Sequence, residues 1–215
     1  MYEFARGPLV WIAFIVFVSG CLYQLASRAK LAKRDKVVFP YLHSKYALRS
    51  IGHWIMPYAS RSTRIRPVFA FLSFLFHFCL LVTPVFALGH VLSWQESWGI
   101  RWWSLPAWLG NVMSILVVAI GLIFAIRRLV DPVARYVTSA SDFVILAIVL
   151  APFVTGILAY YRIFDYKTIL TLHIFSGAIW LVAIPFTRLV HMLFFPFTRA
   201  YMGSEFGFVR HARDW

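Results

Sequence analysis

Five long, almost unbroken apolar runs constrain this chain more than any other feature. They cover about 8–26, 68–93, 107–126, 142–161 and 168–195. Each is long enough to cross roughly 30 Å of hydrocarbon as a helix. Inside a bilayer the backbone must satisfy its own hydrogen bonds, so a helical span is the economical solution. Composition points the same way: 61% of residues are hydrophobic and 13% charged, where soluble domains have about 45–50% and 25%. Mean hydropathy is +0.76. A water-soluble fold of 215 residues has too little interior to hide that surface. The expectation is an all-α integral membrane protein, a five-transmembrane-helix bundle forming one domain over residues 1–215. Glu3 and Arg6 offset one another before the first run and no small-residue cleavage motif follows it, so it is expected to be a retained span. The second and fifth runs exceed what a span needs, which implies tilt or a helix continuing past the membrane.

Charge gives an orientation. The chain has 21 Lys+Arg against 8 Asp+Glu, a net +13. Seventeen of the basic residues fall in segment 28–66, loop 127–141, and the end of the fifth run with its tail; four fall on the other side. Basic residues collect on the cytoplasmic side. That predicts an outside N-terminus and a cytoplasmic C-terminus in a prokaryotic cytoplasmic (inner) membrane, with no nucleic-acid partner. Segment 28–66 interleaves Tyr46, Ala47, Ile51, Trp54 and Ile55 with Lys45, Arg49 and His53, the pattern of an interfacial amphipathic helix. Anionic headgroups or a docked cytoplasmic partner both suit it, with Tyr41, Trp54 and Tyr58 as aromatic anchors and the tail after Pro196 as a second part of the surface. Cys21 and Cys79 lie in apolar runs without Cys-x-x-Cys spacing and read as buried, inert thiols.

Four of the seven histidines lie within the apolar runs: His77 and His90 in the second, His173 and His191 in the fifth. Ionisable groups in a bilayer are costly and are functional candidates. On one continuous helix, His173 and His191 would share a face about 27 Å apart along the axis. The His77–His90 interval leaves an ideal helix out of phase, but it contains Pro84, which can kink or rewind the helix. Gly89 leaves room for a bulky group beside His90. Antiparallel packing of the two runs would set His77 beside His191 toward the cytoplasm and His90 beside His173 toward the outside. Two such pairs suit two noncovalent bis-His haems of b type, since Cys-x-x-Cys-His is absent. Core histidines or a proton relay are the alternative reading.

At these residues the sequence resembles a known family. The stretch from Leu172 to Pro196, LHIFSGAIWLVAIPFTRLVHMLFFP, is similar to the last helix of the respiratory nitrate reductase gamma-subunit (NarI-like) cytochromes b. Phe76-His77 with Gly89-His90 resembles that family's second helix, and Arg127-Arg128-Leu129, Thr138 and Asp142 resemble its loop and fourth helix. The longer His77–His90 interval containing Pro84 is more like the cytochrome b subunits of sulfate-reducer transmembrane redox complexes (HmcE, TmcC and DsrM type). Trp102-Trp103-Ser104-Leu105-Pro106 stands where the nitrate reductase subunit has a quinone-site lysine, so nitrate reduction is not implied. The resemblance covers about residues 68–196. It implies that His77, His90, His173 and His191 are axial ligands of two haem b groups. It also implies a cytoplasmic iron–sulfur partner (heterodisulfide-reductase-like or ferredoxin-like), with menaquinone, a periplasmic multihaem cytochrome c and other membrane subunits as further candidate partners.

The expected function is electron transfer across the membrane, as one subunit of an oxidoreductase complex in anaerobic respiration such as sulfate reduction. No nucleophile–base pair or phosphate loop argues for catalysis by the chain itself. Arg188, Arg127 and Arg128 suit either haem propionates or positive-inside anchoring. The rival classes are a haem-free membrane anchor for a soluble enzyme and a proton-relay transporter using the intramembrane histidines.

Overall fold

The computed structural model describes residues 1–214. Helix dominates, and among the described residues the only β pairing is an isolated bridge between Ala87 and Leu105. Among the described residues, five helices are long and apolar enough to cross a membrane: Tyr2–Ala32, Pro67–Phe86, Ala107–Val130, Ala140–Tyr160 and Tyr166–Phe186. The regular part of the first, α1 (Val10–Ala32), follows a π-helical turn over Ala5–Leu9 that accommodates Pro8; a wider turn tolerates the missing N–H. Helix α2 (Ser44–Ile55) lies in the basic segment. Then come α3 (Pro67–Phe86), α4 (Leu88–Trp98), α5 (Ala107–Val130), α6 (Ala140–Tyr160), α7 (Tyr166–Phe186) and α8 (His191–Ser204).

The second and fifth apolar runs are long for a reason other than tilt or extension. Each is a span, a break and a second helix. Helix α3 ends at Phe86, two residues after Pro84, and Ala87 is extended at φ −60°, ψ 131°. Helix α7 ends at Phe186, just after Pro185, and Thr187 is extended at φ −126°, ψ −174°. The Thr187 hydroxyl donates to the Ala183 carbonyl at 2.7 Å and accepts from the Leu189 N–H at 3.2 Å, closing one helix and opening the next turn. A continuous helix from His173 to His191 is therefore not formed, and the shared face with a rise of about 27 Å does not apply. The break in the second run falls at Ala87 and not at Pro84 itself.

The chain divides into two compact units, one of Met1–Phe14 with Ser73–Leu181, the other of Ile15–Leu72 with Val182 onward. In the first unit α5 packs along α6. Gly121 allows Leu150 so close that an added Cβ would meet its Cδ2 at 2.6 Å. Phe76 of α3 meets Phe124 of α5 edge-on at 5.4 Å between centroids. Phe76 and Cys79 are buried, whereas Phe78, Leu81 and Val85 are exposed. A stripe of large apolar side chains facing outward is a liability in water and an asset in lipid.

The second unit is built on α2 against α8. Ser50 and Ser204 are fully buried between them, and the His43 N–H donates to the Ser204 hydroxyl at 3.1 Å. Gly203 is required there: a Cβ would stand 2.5 Å from the Tyr46 carbonyl oxygen. Arg199 lies over the Trp54 ring at 4.4 Å, and His43 stacks on Phe208. The amphipathic helix expected from the sequence is present, but Trp54 is occupied within the chain by the tail. Tyr41 and Tyr58 remain exposed.

Candidate functional site

The structure brings His90 and His173 together. Their rings lie 5.8 Å apart between centroids, 23° from parallel, with the two Nε2 atoms 3.5 Å apart. The opposite nitrogen of each ring is held by backbone. His90 Nδ1 donates to the Pro84 carbonyl at 2.7 Å. His173 Nδ1 donates to the Pro152 carbonyl of α6 at 2.9 Å, with the Thr155 hydroxyl at 3.2 Å. A carbonyl can only accept, so the network assigns the ring proton to Nδ1 in both residues. Two lone pairs consequently face one another between part-buried rings, and a cation or proton between them would relieve their repulsion.

Each ring is placed by features local to the fold. The break at Ala87 strips the last carbonyls of α3 of their intrahelical partners, and His90, in the first turn of α4, takes one. On the other side, Gly156 lies next to the His173 ring: a Cβ there would meet Cε1 at 3.3 Å and Nδ1 at 3.5 Å. Thr155 donates to the Ala151 carbonyl at 2.8 Å and lies 3.2 Å from the Ser176 hydroxyl, which itself donates to the His173 carbonyl at 2.9 Å. Beside Gly89 and Gly177, no atom lies within 4 Å of where a Cβ would stand.

His77 and His191 fall in different units. Each has Nδ1 bonded to a carbonyl of its own chain segment, His77 to Ser73 at 2.7 Å and His191 to Arg188 at 2.8 Å. A carbonyl can only accept, so these contacts assign the ring proton to Nδ1 in both residues. Arg127 pairs with Asp131 at 3.2 Å. Arg128 donates to the Thr138 hydroxyl at 3.1 Å and stands 4.0 Å from Asp142, whose carboxylate accepts from the Ser139 N–H at 2.8 Å. The Arg128, Thr138 and Asp142 motif thus closes α5 onto the start of α6. Asp131 caps the short helix Pro132–Tyr136. Its carboxyl is held below the usual range: desolvation pushes it up, but the Val133 and Ala134 N–H groups and Arg127 outweigh that.

Among the described residues no three His, Cys, Asp or Glu side chains converge; the facing imidazoles stand as a pair. Sequence reasoning paired these two histidines but missed what stands around them: Thr155, Gly156 and the Pro152 carbonyl. Nothing in the spacing of the sequence marks them, because they act through tertiary contacts.

Fold and site together define a helical, multi-pass membrane protein carrying a facing imidazole pair. A protein of Nitratidesulfovibrio vulgaris, named simply "Protein", is 34% identical over 216 aligned positions, which cover 98% of this chain and 95% of that one. The chain belongs to the same family as that protein. No family model matches the chain, and no solved structure matches it.

Proposed function

We propose that the chain is a dihaem b cytochrome, the electron-transfer subunit of a redox complex in a prokaryotic cytoplasmic membrane. The observation that carries the reading is the His90–His173 pair, with Nε2 facing Nε2 at 3.5 Å and both Nδ1 atoms held by carbonyls. These two Nε2 atoms, each opposite a carbonyl-bound Nδ1, would be the nitrogens that hold the iron. The open space beside Gly89 and Gly177 suits a bulky planar group. His90 and His173 would hold the outer haem iron; His77 and His191 would hold the inner one. The haem supplies reversible one-electron chemistry when bound. The chain's own residues fix the tautomer, aim the rings and raise ligand basicity through the carbonyl bonds.

The basic excess supports an outside N-terminus and a cytoplasmic tail. On that side the 28–66 segment and α8 would meet a cytoplasmic iron–sulfur subunit, with Tyr41 and Tyr58 as the exposed aromatic contacts. A menaquinone pool or a periplasmic multihaem cytochrome c would exchange electrons at the outer site. The relative's sulfate-reducing source agrees with a role in anaerobic respiration. Arg188, Arg127 and Arg128 would be the basic residues near haem propionates, and Arg127 and Arg128 also pair within the chain with Asp131 and Asp142.

A proton relay is the second reading, favoured by the contiguous Thr155, His173 and Ser176 contacts. One experiment separates them. Pyridine haemochrome analysis of the purified protein should give two b haems per chain, and a count of zero would overturn the cytochrome in favour of the relay.

A further inference from the structure

We infer that Trp102, on the loop between α4 and α5, is a positioning residue for His90. Its indole N–H sustains the helix break that aims the His90 ring at His173. The inference rests on the proposed ligand role of His90.

In an uninterrupted helix the carbonyls of Pro84, Val85 and Phe86 would accept from the N–H groups of residues 88, 89 and 90. In this chain the His90 N–H turns instead to the Ala87 carbonyl at 3.0 Å, and the Val91 N–H joins it at 3.1 Å. Three carbonyls at the end of α3 are thereby orphaned, and an orphaned carbonyl in an apolar setting is costly. Each finds a donor from beyond the break. Pro84 accepts from His90 Nδ1 at 2.7 Å, Val85 from Trp102 Nε1 at 3.0 Å, and Phe86 from the Leu105 N–H at 2.8 Å.

Two of the three donors belong to one loop, and the third is the imidazole itself. If the loop releases Val85 and Phe86, the cheapest remedy is to run the helix on through Ala87. That remedy gives the Pro84 carbonyl to the Leu88 N–H and turns His90 away from its present direction. The break and the ring's orientation are therefore one state, with the loop as its stabiliser. The loop is itself well anchored. Gly99 adopts φ +69°, reversing the chain after α4, Leu105 is buried, and Trp102 meets Trp94 edge-on at 5.6 Å.

The test is Trp102→Phe, which keeps an aromatic ring and removes the N–H. Benzothienylalanine at the same position, with sulfur in place of the N–H, serves if the phenylalanine variant does not accumulate. The control is Trp103→Phe, an exposed neighbour. Hydrogen exchange of the Leu105 amide in haem-free protein should quicken about three- to tenfold, the scale of losing one hydrogen bond's support. In loaded protein, the EPR signal and midpoint potential of the component that His90→Ala removes should shift. The component that His77→Ala removes should not, and Trp103→Phe should move neither. Unchanged Leu105 exchange overturns the clamp, and so does faster exchange with an unmoved His90 component. If His90→Ala and His173→Ala both leave haem content intact, the ligand reading fails instead, while Leu105 exchange still decides the role of Trp102.

Discussion

His77 and His90 carry the same chemical group on neighbouring stretches of chain, yet they are held in opposite ways. The His77 ring bonds to the Ser73 carbonyl four residues back, a contact that an ordinary helical turn provides. The His90 ring bonds across a helix break, in a set completed by a distant loop. The fifth run repeats the contrast. His191 bonds to Arg188, three residues back, whereas His173 reaches the Pro152 carbonyl on another helix. The carbonyl bonds of His77 and His191 come from their own turns, whereas those of His90 and His173 come across a helix break and from another helix. Changes far from the chain neighbourhood of His90 and His173 should therefore disturb the outer site, whereas the inner histidines should respond mainly to their own helices.

If the proposed haem ligation holds, the largest effect is removal of one of the four histidines. His90→Ala or His173→Ala should each take the haem count from two to one and abolish the same EPR component. His77→Ala or His191→Ala should abolish the other. Loss of one common component from His77→Ala and His173→Ala would break the pairing on which the comparison rests. Next in size is Gly203→Val. It drives a branched side chain into the Tyr46 carbonyl and should cost about 1–3 kcal/mol or more, as overpacking does. A lower thermal midpoint should accompany an unaltered spectrum of the outer component. Gly156→Ala should do the reverse. Its methyl meets the His173 ring at 3.3 Å and must shift it by a few tenths of an ångström, changing the potential of the outer component with little change in melting. Equal effects of Gly156→Ala on both components would argue that the two sites are not separately positioned.

Legibility in the sequence followed the same division. Spans are long-range averages of side-chain hydropathy, so five apolar runs were enough to place five helices. The interleaved apolar and basic residues of segment 28–66, from Lys45 to Ile55, pointed to an amphipathic helix, and α2 lies there. Breaks depend on which carbonyls find donors elsewhere, and proline only marks their neighbourhood. Pro84 signalled trouble in the second run, whereas the fifth was read as one continuous helix through Pro185; Ala87 and Thr187, where the backbone turns extended, carry no breaking signature of their own. The two histidines on separate runs could be paired because antiparallel packing and the basic excess restrict which ends meet. Thr155, Gly156 and Trp102 were invisible because their meaning lies in what packs against them. Trp54 was misleading for the same reason: an aromatic residue among lysines and arginines reads as exposed until Arg199 is found over its ring.

The smallest expected effect tests whether a purely local device stays local. Asp35 accepts the Val37 N–H at 2.8 Å and the Val38 N–H at 3.2 Å, closing a turn after α1. These bonds, the Val37 bond foremost, hold its carboxyl below the usual carboxylate range. An unfolded aspartate titrates near about 3.9. With the folded value lower, the turn's contribution is complete above that pH and is lost as pH falls through the folded value. The turn should therefore survive mild acidification. Between pH 7 and pH 5 the Val37 and Val38 amides should keep their slow exchange relative to the rate expected of free chain at each pH, and they should lose it only below about pH 4. Asp35→Ala should expose both amides at neutral pH while leaving the His90 component of the spectrum unmoved. A shift in that component from Asp35→Ala would mean that this turn reaches the outer site after all, and the division between locally and distantly held histidines would have to be redrawn.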